Sequence, residues 1–326
     1  MSALAKSAAV APPVAGVAPG ASAFDGLVDS MSERSWNGGG ASAALEGVSL
    51  AFDDGRPVLS DVTLRVAPGE AVCLVGPSGG GKSTILNVIA GLVKPQSGRV
   101  LFDGRPVLGP DPERAVVFQD AALFPWLTLA KNVEFPLEVA GVSKTERQGR
   151  VAELLRLVHL ARFKDNYPHE LSGGMRQRAA IARALATRPR MLLFDEPFAA
   201  LDGQMRELLH GEVERIVRAS RTSMLFVTHQ IEEAVRLGDR VVLVGTRPGR
   251  IIGDVVVDLP RPRGQESFGA GGSPRANRLV REIAHEIRAE VEKVAREEAD
   301  DEWSTRTAPG DGADSRDPRR VMGRGI

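Results

Sequence analysis

The fold is decided by the stretch from Ala71 to Ala90, which reads AVCLVGPSGGGKSTILNVIA. Its first five residues are apolar, partly β-branched and followed by a glycine, which is typical of a buried strand. Residues 84–90 have helical character. Strand, glycine-rich loop and helix are the context in which the pattern G-x-x-x-x-G-K-[ST] cradles phosphates. The stretch therefore predicts a nucleoside triphosphate site on an α/β fold.

The loop between this strand and this helix supplies the predicted nucleotide ligands. Glycines let successive backbone N–H groups point at one anion, and the helix N-terminus adds a partial positive charge. We expect Lys82 to reach the β- and γ-phosphates and the hydroxyl of Ser83 to ligate Mg²⁺. The predicted nucleotide-binding residues of the loop are Gly76, Pro77, Ser78, Gly79, Gly80, Gly81, Lys82, Ser83 and Thr84.

Two acidic residues follow a second predicted strand, residues 191–194. Open parallel sheets place their sites at the carboxyl ends of strands, so Asp195 and Glu196 should lie near the phosphate loop. We expect Asp195 to hold Mg²⁺ and Glu196 to orient or deprotonate the attacking water. On its own, an acidic pair here would more often cap a helix. The neighbouring loop, whose metal needs a carboxylate partner, favours the catalytic interpretation.

A third motif, residues 171–178, reads LSGGMRQR. With the loop and the acid pair, in this order, it resembles the ATPase subunits of ABC transporters over residues 45–263. The resemblance implies further site residues: Phe52 stacked on adenine, Gln119 in the Q-loop beside the metal and the reacting water, Asp202 in the D-loop, and His229 as the switch histidine. Taken singly, Phe52 would more often be a core aromatic, and a histidine after a strand would more often be structural.

The segment 171–178, which we call the signature segment, predicts a second anion-binding site. Ser172, Gly173 and Gly174 precede a predicted helix, whose N–H groups would be free to face a γ-phosphate. The chain nevertheless has one phosphate loop and no internal repeat. The resemblance implies that the signature segment of one subunit closes over ATP bound to the other. We therefore expect a head-to-tail dimer that sandwiches two ATP molecules, either a homodimer of this chain or a pair with a paralogue.

The same resemblance implies the architecture. It is an α/β P-loop NTPase core, with a mostly parallel sheet flanked by helices, an N-terminal antiparallel β subdomain and an inserted α-helical signature subdomain. The helix near the C-terminus would dock on the body, pair with a second copy or stay solvated. The predicted segments are a disordered extension at 1–40, the ABC ATPase domain at 43–263 with its helical subdomain at about 120–185, a Gly-rich linker at 264–274, a charged amphipathic helix at 275–302 and a disordered tail at 303–326.

Residues 121–129 read AALFPWLTL, which is unusually apolar and aromatic for a segment that should include surface. In the family, the helical subdomain forms the groove that receives a cytoplasmic helix of the membrane permease. Phe124, Trp126 and Phe135 are candidate anchors for such a partner, because aromatic residues are enriched in interface hot spots. An ordinary small core is the alternative. Together with residues 247–263, this segment resembles the nitrate/sulfonate/taurine importer branch.

Composition narrows the function and the compartment. Lys and Arg number 42, as do Asp and Glu, so the formal net charge is zero and nucleic acid is not an expected partner. No apolar run approaches the roughly 18 residues of a membrane span, and the start lacks the pattern of a signal peptide. The single cysteine, Cys73, falls in a predicted buried strand, which fits a reducing cytosol. We expect a peripheral subunit at the cytoplasmic face of the cell membrane.

The leading hypothesis is the motor subunit of an ABC importer. ATP hydrolysis would drive a separate transmembrane permease, fed by a periplasmic or extracellular substrate-binding protein, to take up a small anionic solute. An ABC ATPase acting on DNA or ribosomes typically carries a coiled-coil insertion or tandem ATPase units, and neither pattern occurs in the sequence. A non-transport ATPase that regulates a partner through ATP-dependent dimerisation remains the alternative.

Overall fold

The computed structural model describes residues 39–269 and 271–307. Most of the disordered extension predicted at 1–40 and of the disordered tail predicted at 303–326 therefore lies outside the described residues, but residues 303–307 of that tail are helical. In chain order, the strands are β1 (Ala43–Ala51), β2 (Pro57–Val66), β3 (Ala71–Val75), β4 (Ser97–Phe102), β5 (Arg105–Pro106), β6 (Arg114–Val117), β7 (Met191–Asp195), β8 (Ser223–Val227), β9 (Arg240–Val244) and β10 (Ile251–Val256). The α-helices are α1 (Lys82–Ala90), α2 (Leu129–Val139), α3 (Lys144–Leu157), α4 (Gly173–Ala186), α5 (Gly203–Ser220), α6 (Ile231–Leu237) and α7 (Pro274–Thr307).

The strands form two sheets. The first is antiparallel with the order β2-β1-β4-β5, and the second has the order β10-β9-β3-β8-β7-β6. In the second sheet all neighbours are parallel except β10, which pairs antiparallel with β9 at the edge. Strands β3, β8 and β7 lie side by side in the sheet and run parallel. Their carboxyl ends therefore meet at one edge of the sheet. This is the predicted P-loop NTPase core with its antiparallel β subdomain.

The central sheet is covered on both faces, which is why its strands read as continuous apolar runs. Successive residues of β3 point to opposite faces. Cys73 packs with Phe194 and Phe226 in the core that includes helices α2 to α5. Leu74 packs instead with Leu225 in a second core, which the antiparallel sheet and α1 complete. Burial raises the pKa of the Cys73 thiol well above its ordinary value.

The helical subdomain is inserted between β6 and β7 and consists of α2, α3 and α4. Thr128 caps α2 by accepting a hydrogen bond from the Lys131 backbone N–H, and Ser143 caps α3 in the same way through Glu146. Such caps satisfy backbone donors that a helix leaves free at its start. The subdomain is anchored to the core sheet because Gln177 of α4 donates to the Phe118 carbonyl at 2.9 Å.

The apolar pattern of residues 251–259 predicts a closing strand, but strand β10 ends at Val256. Arg263, 3% exposed, donates to the carbonyls of Val235, Gly238 and Val257. These bonds hold the chain after Val256 against the C-terminal end of α6, where the last carbonyls lack helical partners. Burial lowers the pKa of Arg263 to about 10.

Helix α7 docks on the body, which is the first of the three arrangements that the sequence left open. Ala276, Ile283 and Val294 are buried, whereas Val291 is 44% exposed. The helix is longer than the predicted 275–302, beginning at Pro274 and continuing to Thr307. Proline suits a first helical position because its missing N–H would have no partner there.

None of the helices within the described ranges combines the length and apolar composition needed to cross a bilayer.

Candidate nucleotide site

The phosphate loop turns between β3 and α1 under tight steric limits. A Cβ added at Gly76 would lie 2.1 Å from the Val244 carbonyl oxygen of the neighbouring strand. Gly81 begins α1 with a φ of 80°, and its Cβ would lie 2.6 Å from a methyl carbon of Leu59. Glycine tolerates both conditions because it has no Cβ. The loop backbone is thereby held open for an anion.

Lys82 is pinned beneath this loop. Its Nζ donates to the carbonyls of Gly76 at 2.9 Å and Pro77 at 2.7 Å, and the side chain is 6% exposed. Burial lowers the pKa of Lys82, while the carboxylates of Glu196 and Asp195 act in the opposite direction. The ammonium is therefore positioned by the same loop that should receive the phosphates.

A hydroxyl and a carboxylate meet at the carboxyl edge of the sheet. Ser83 Oγ donates to Asp195 Oδ1 at 2.9 Å, joining the start of α1 to the end of β7. Burial raises the pKa of Asp195, and the bond from Ser83 partly offsets this effect. These are oxygen ligands, the kind that Mg²⁺ prefers alongside substrate phosphates.

Glu196 and His229 form the second polar pair of the site. They follow the neighbouring strands β7 and β8, and Glu196 Oε2 lies 3.1 Å from His229 Nδ1. The backbone of Glu196 has a φ of 46° and its N–H donates to the Val227 carbonyl at 3.0 Å. A left-handed conformation is uncommon for a residue with a side chain and aims this carboxylate away from the strand direction. A carboxylate held by an imidazole can orient or deprotonate a water molecule.

These groups line one cleft of about 700 Å³. Phe52 stands at one side, 57% exposed, with the Arg56 guanidinium 5.7 Å from its ring centroid, so it is not a core aromatic. Gly76, Pro77 and Asp195 support the cleft from beneath through Lys82 and Ser83. The predicted site residues that line the cleft are Phe52, Ser78, Gly79, Gly80, Gly81, Lys82, Ser83, Thr84, Gln119, Glu196 and His229.

Besides Gly76 and Pro77, four predicted nucleotide contacts do not line this cleft: Ser172, Gly173, Gly174 and Asp202. Ser172 caps α4 by accepting from the Met175 N–H at 3.3 Å, and Asp202 caps α5 by accepting from the Met205 N–H at 2.9 Å. The two helix starts are neighbours, since a Cβ on Gly174 would lie 3.0 Å from Leu201. In one chain, the signature segment and Asp202 therefore lie apart from the cleft that the phosphate loop lines.

Four residues that line the cleft were not predicted as site residues: Pro57, Val58, Arg247 and Pro248. Arg247 and Pro248 lie in the turn between β9 and β10. Because β9 pairs with β3, this turn follows a neighbour of the strand that carries the phosphate loop. That pairing is the signal that could have indicated them, but it is not visible in the order of residues along the chain.

Sheet, phosphate loop and acid pair define a P-loop NTPase, and its inserted helical subdomain carries the second glycine-rich helix start. Comparison with known proteins gives the family. The sequence profile described as ABC transporter matches residues 59–199. An uncharacterized ABC transporter ATP-binding protein of Methanocaldococcus jannaschii is 49% identical over 210 residues, which cover 64% of this chain and 79% of that protein. The chain belongs to the ATP-binding family of ABC transporters.

Other similar proteins carry transport names. The taurine import ATP-binding protein TauB of Pseudomonas savastanoi is 47% identical over 68% of this chain and 82% of its own length. The nitrate import ATP-binding protein NrtD of Synechocystis is 47% identical over 62% of this chain and 76% of its own. Among solved structures, the dimeric ATP-binding cassette MJ0796 bound to ADP and Pi has a TM-score of 0.62 and 33% identity, covering 67% of this chain and all of that one.

Proposed function

We propose that this chain is the ATP-hydrolysing motor subunit of an ABC importer. It couples ATP binding and hydrolysis, in a head-to-tail dimer, to uptake of a small anionic solute of the nitrate, sulfonate or taurine kind through a separate permease. The observation that carries the proposal is the division of the site: Lys82, Glu196 and His229 line the cleft, whereas Ser172 and Gly174 do not. The import names of the related taurine and nitrate proteins support the transport role.

The division of the site explains why two copies are needed. The free N–H groups at the start of α4 would face the γ-phosphate of ATP held in the cleft of the partner. Asp202 would lie near the same γ-phosphate, because the start of α5 lies beside the start of α4. ATP then acts as the contact between subunits, and loss of its γ-phosphate releases them. The dimeric form of the related cassette supports this arrangement.

Mg²⁺ is the proposed metal, held by Ser83 and Asp195, with Gln119 at the edge of the cleft. The pairing of hydroxyl and carboxylate at 2.9 Å fits an oxygen-liganded cation that completes its coordination with water and phosphates. When bound, Mg²⁺ would neutralise charge that develops on the β- and γ-phosphates. Within described residues 39–269 and 271–307, His, Cys, Asp and Glu form no cluster of three or more suited to a metal.

The hydrolytic step is assigned to residues at the two strand ends. Glu196 orients the water and accepts its proton as the water oxygen bonds to the γ-phosphorus, while the bond to the β-γ bridging oxygen breaks. His229 holds the Glu196 carboxylate at 3.1 Å and faces the same cleft. Lys82 stabilises the charge on the leaving diphosphate. Phe52, exposed at the side of the cleft, stacks on adenine.

The aromatic cluster of the helical subdomain is the proposed permease contact. Trp126 is 70% and Phe135 40% exposed, and the Phe124 ring packs between them at centroid distances of 5.5 and 4.8 Å. The loop that carries two of these aromatics is rigid, because the buried Asn132 side chain bonds both the N–H and the carbonyl of Phe124. A rigid, exposed aromatic cluster suits a partner helix better than a core role.

Binding to the permease would place this subunit peripherally at the cytoplasmic face of the cell membrane. The cargo would then reach the permease from a substrate-binding protein on the other side. This ATPase would act on that protein only indirectly, through the permease.

The test is retention on a membrane partner. The tagged chain, expressed in its source cells and solubilised in mild detergent, should co-purify with a multi-span membrane protein. Trp126→Glu should abolish this retention, because a buried charge in the contact would lack a partner. Leu108→Glu is the matched control, since Leu108 is 97% exposed and lies outside the helical subdomain. Retention that survives Trp126→Glu, or a wild-type chain that isolates alone, would contradict the proposal.

A further inference from the structure

The turn between β9 and β10, residues 245–250, is wedged against the phosphate loop. The Gly249 N–H donates to the Val58 carbonyl at 2.8 Å, and the Ser60 N–H donates to the Gly249 carbonyl at 3.0 Å. A Cβ on Gly249 would lie 2.3 Å from the Gly80 carbonyl oxygen. Contact this close leaves no room for a side chain, so the turn, β2 and the loop form one continuous wall of the cleft.

Arg247 stands at the exposed tip of this turn and lines the cleft. Its backbone has a φ of 55°, an uncommon conformation for an arginine. The charged side chains that line the cleft are Lys82, Glu196 and Arg247. Lys82 already donates to two loop carbonyls. A guanidinium is always charged, offers only donors and suits phosphate oxygens.

The base of the turn is held by the C-terminal helix. Arg250 Nη2 lies 2.7 Å from Glu290 Oε1 of α7, and Glu290 is only 8% exposed. The same guanidinium donates to the Thr246 carbonyl at 3.3 Å, and the Gly245 N–H donates to the Arg250 carbonyl at 2.8 Å. A Cβ on Gly245 would lie 2.6 Å from Glu290 Oε1, so the carboxylate packs directly on the turn backbone.

We propose that Arg247 contacts the phosphate chain of the bound nucleotide, and that Glu290 is a positioning residue that acts through Arg250 to set the turn. This inference rests on the proposed ATP site and adds to it a residue outside the predicted motifs. It also gives the docked C-terminal helix a role, because α7 supports the turn that forms one wall of the nucleotide cleft.

The contact is tested by equilibrium binding of ATP, measured as displacement of a fluorescent ATP analogue from the purified full chain. Arg247→Ala should weaken ATP binding about tenfold, the size of one charge-assisted hydrogen bond. Arg247→Lys, which keeps the charge but not the planar fork, should recover part of the loss. Because Arg247 is exposed, these variants should fold, and unchanged affinity in Arg247→Ala would overturn the contact.

The positioning role of Glu290 is tested by a double-mutant cycle. Glu290→Gln should weaken ATP binding about threefold and raise the KM for ATP with little change in kcat. In the Arg247→Ala background the same change should have no further effect. Glu292→Gln, at an exposed position of the same helix, is the matched control. An undiminished Glu290→Gln effect in that background would overturn the positioning role.

The two proposals fail differently. If the wild-type chain does not bind ATP, the proposed function is wrong. If the wild-type chain binds ATP and Arg247→Ala binds it equally well, only this inference is wrong.

Discussion

Asp195, the proposed metal ligand, lowers the stability of the nucleotide-free fold. Burial raises its pKa above the ordinary carboxyl value even though Ser83 donates to it. A raised pKa in the folded chain means that folding favours the protonated acid. The ionised carboxylate therefore lowers the free energy of unfolding at every pH above the raised pKa. This penalty disappears as the pH falls through the raised value towards the ordinary one.

We predict that Asp195→Asn raises the thermal midpoint of the nucleotide-free protein at pH 7, by about 1–3 °C, while Mg²⁺-dependent hydrolysis is lost. The amide still accepts from Ser83 but carries no charge to desolvate. Scanning calorimetry at several pH values should show that the gain shrinks as the pH is lowered. Asp165→Asn, at an 84% exposed side chain, is the control and should show no gain. A midpoint below that of wild type at pH 7 would contradict the argument.

At the scale of elements, a buried polar network joins three of them behind the switch histidine. Glu233 of α6 accepts from Thr228 Oγ1 at the end of β8 and lies 2.6 Å from His210 Nε2 of α5. Thr228 Oγ1 also accepts from the Gln230 N–H at 3.0 Å, and all three networked side chains are buried. The backbone on both sides of His229 is thus tied to α5, the helix that Asp202 caps.

Glu233→Ala should lower the free energy of unfolding by about 2–4 kcal/mol, because it leaves His210 and Thr228 buried without their shared partner. It should also lower kcat, since His229 loses its fixed backbone. Urea denaturation and phosphate release measure the two effects. Glu232→Ala changes the exposed neighbour on the same helix and should leave both near wild type. Equal behaviour of the two variants would show that the network has no such role.

The comparison between sequence and structure also belongs at this scale. Strand β3 has the predicted bounds, because it is defined by a local apolar run that ends at a glycine. The predicted end of β10 was wrong. The chain after Val256 is held instead by Arg263, which donates to the Gly238 carbonyl, and a contact between segments so far from the strand is not visible in a local pattern. The site residues predicted at the carboxyl edge of the sheet, among them Lys82, Glu196 and His229, do line one cleft, because parallel strands bring their carboxyl ends together. Arg247 could not be predicted, because its place depends on which strand lies beside β3.

At the scale of the whole molecule, the proposed division of the nucleotide site between two protomers makes hydrolysis depend on the dimer. Ser172→Arg should leave ATP binding intact and abolish hydrolysis, because the altered residue serves the other protomer. Glu196→Gln should abolish hydrolysis from within its own cleft. Both homodimers are then inactive. A mixed dimer retains one complete site, formed by the cleft of the Ser172→Arg chain and the lid of the Glu196→Gln chain.

Equal mixing of these two inactive variants should therefore restore about a quarter of the wild-type sites, since half of the dimers are mixed and each has one complete site. Phosphate release on mixing, followed against protein concentration, measures the recovery. Wild type diluted to the same concentration is the reference. Inactive mixtures, or hydrolysis by either variant alone, would contradict the shared site.

The one sulfhydryl of this chain is sealed inside β3, with its thiolate form strongly disfavoured. Electrophilic reagents that react with thiolates should therefore not modify Cys73 while the fold is intact. Any cysteine engineered onto the surface would then be the sole point of attachment for a spectroscopic probe, with no native residue to remove first. Opening and closing of the pair could be followed by distance measurements on an otherwise unaltered protein.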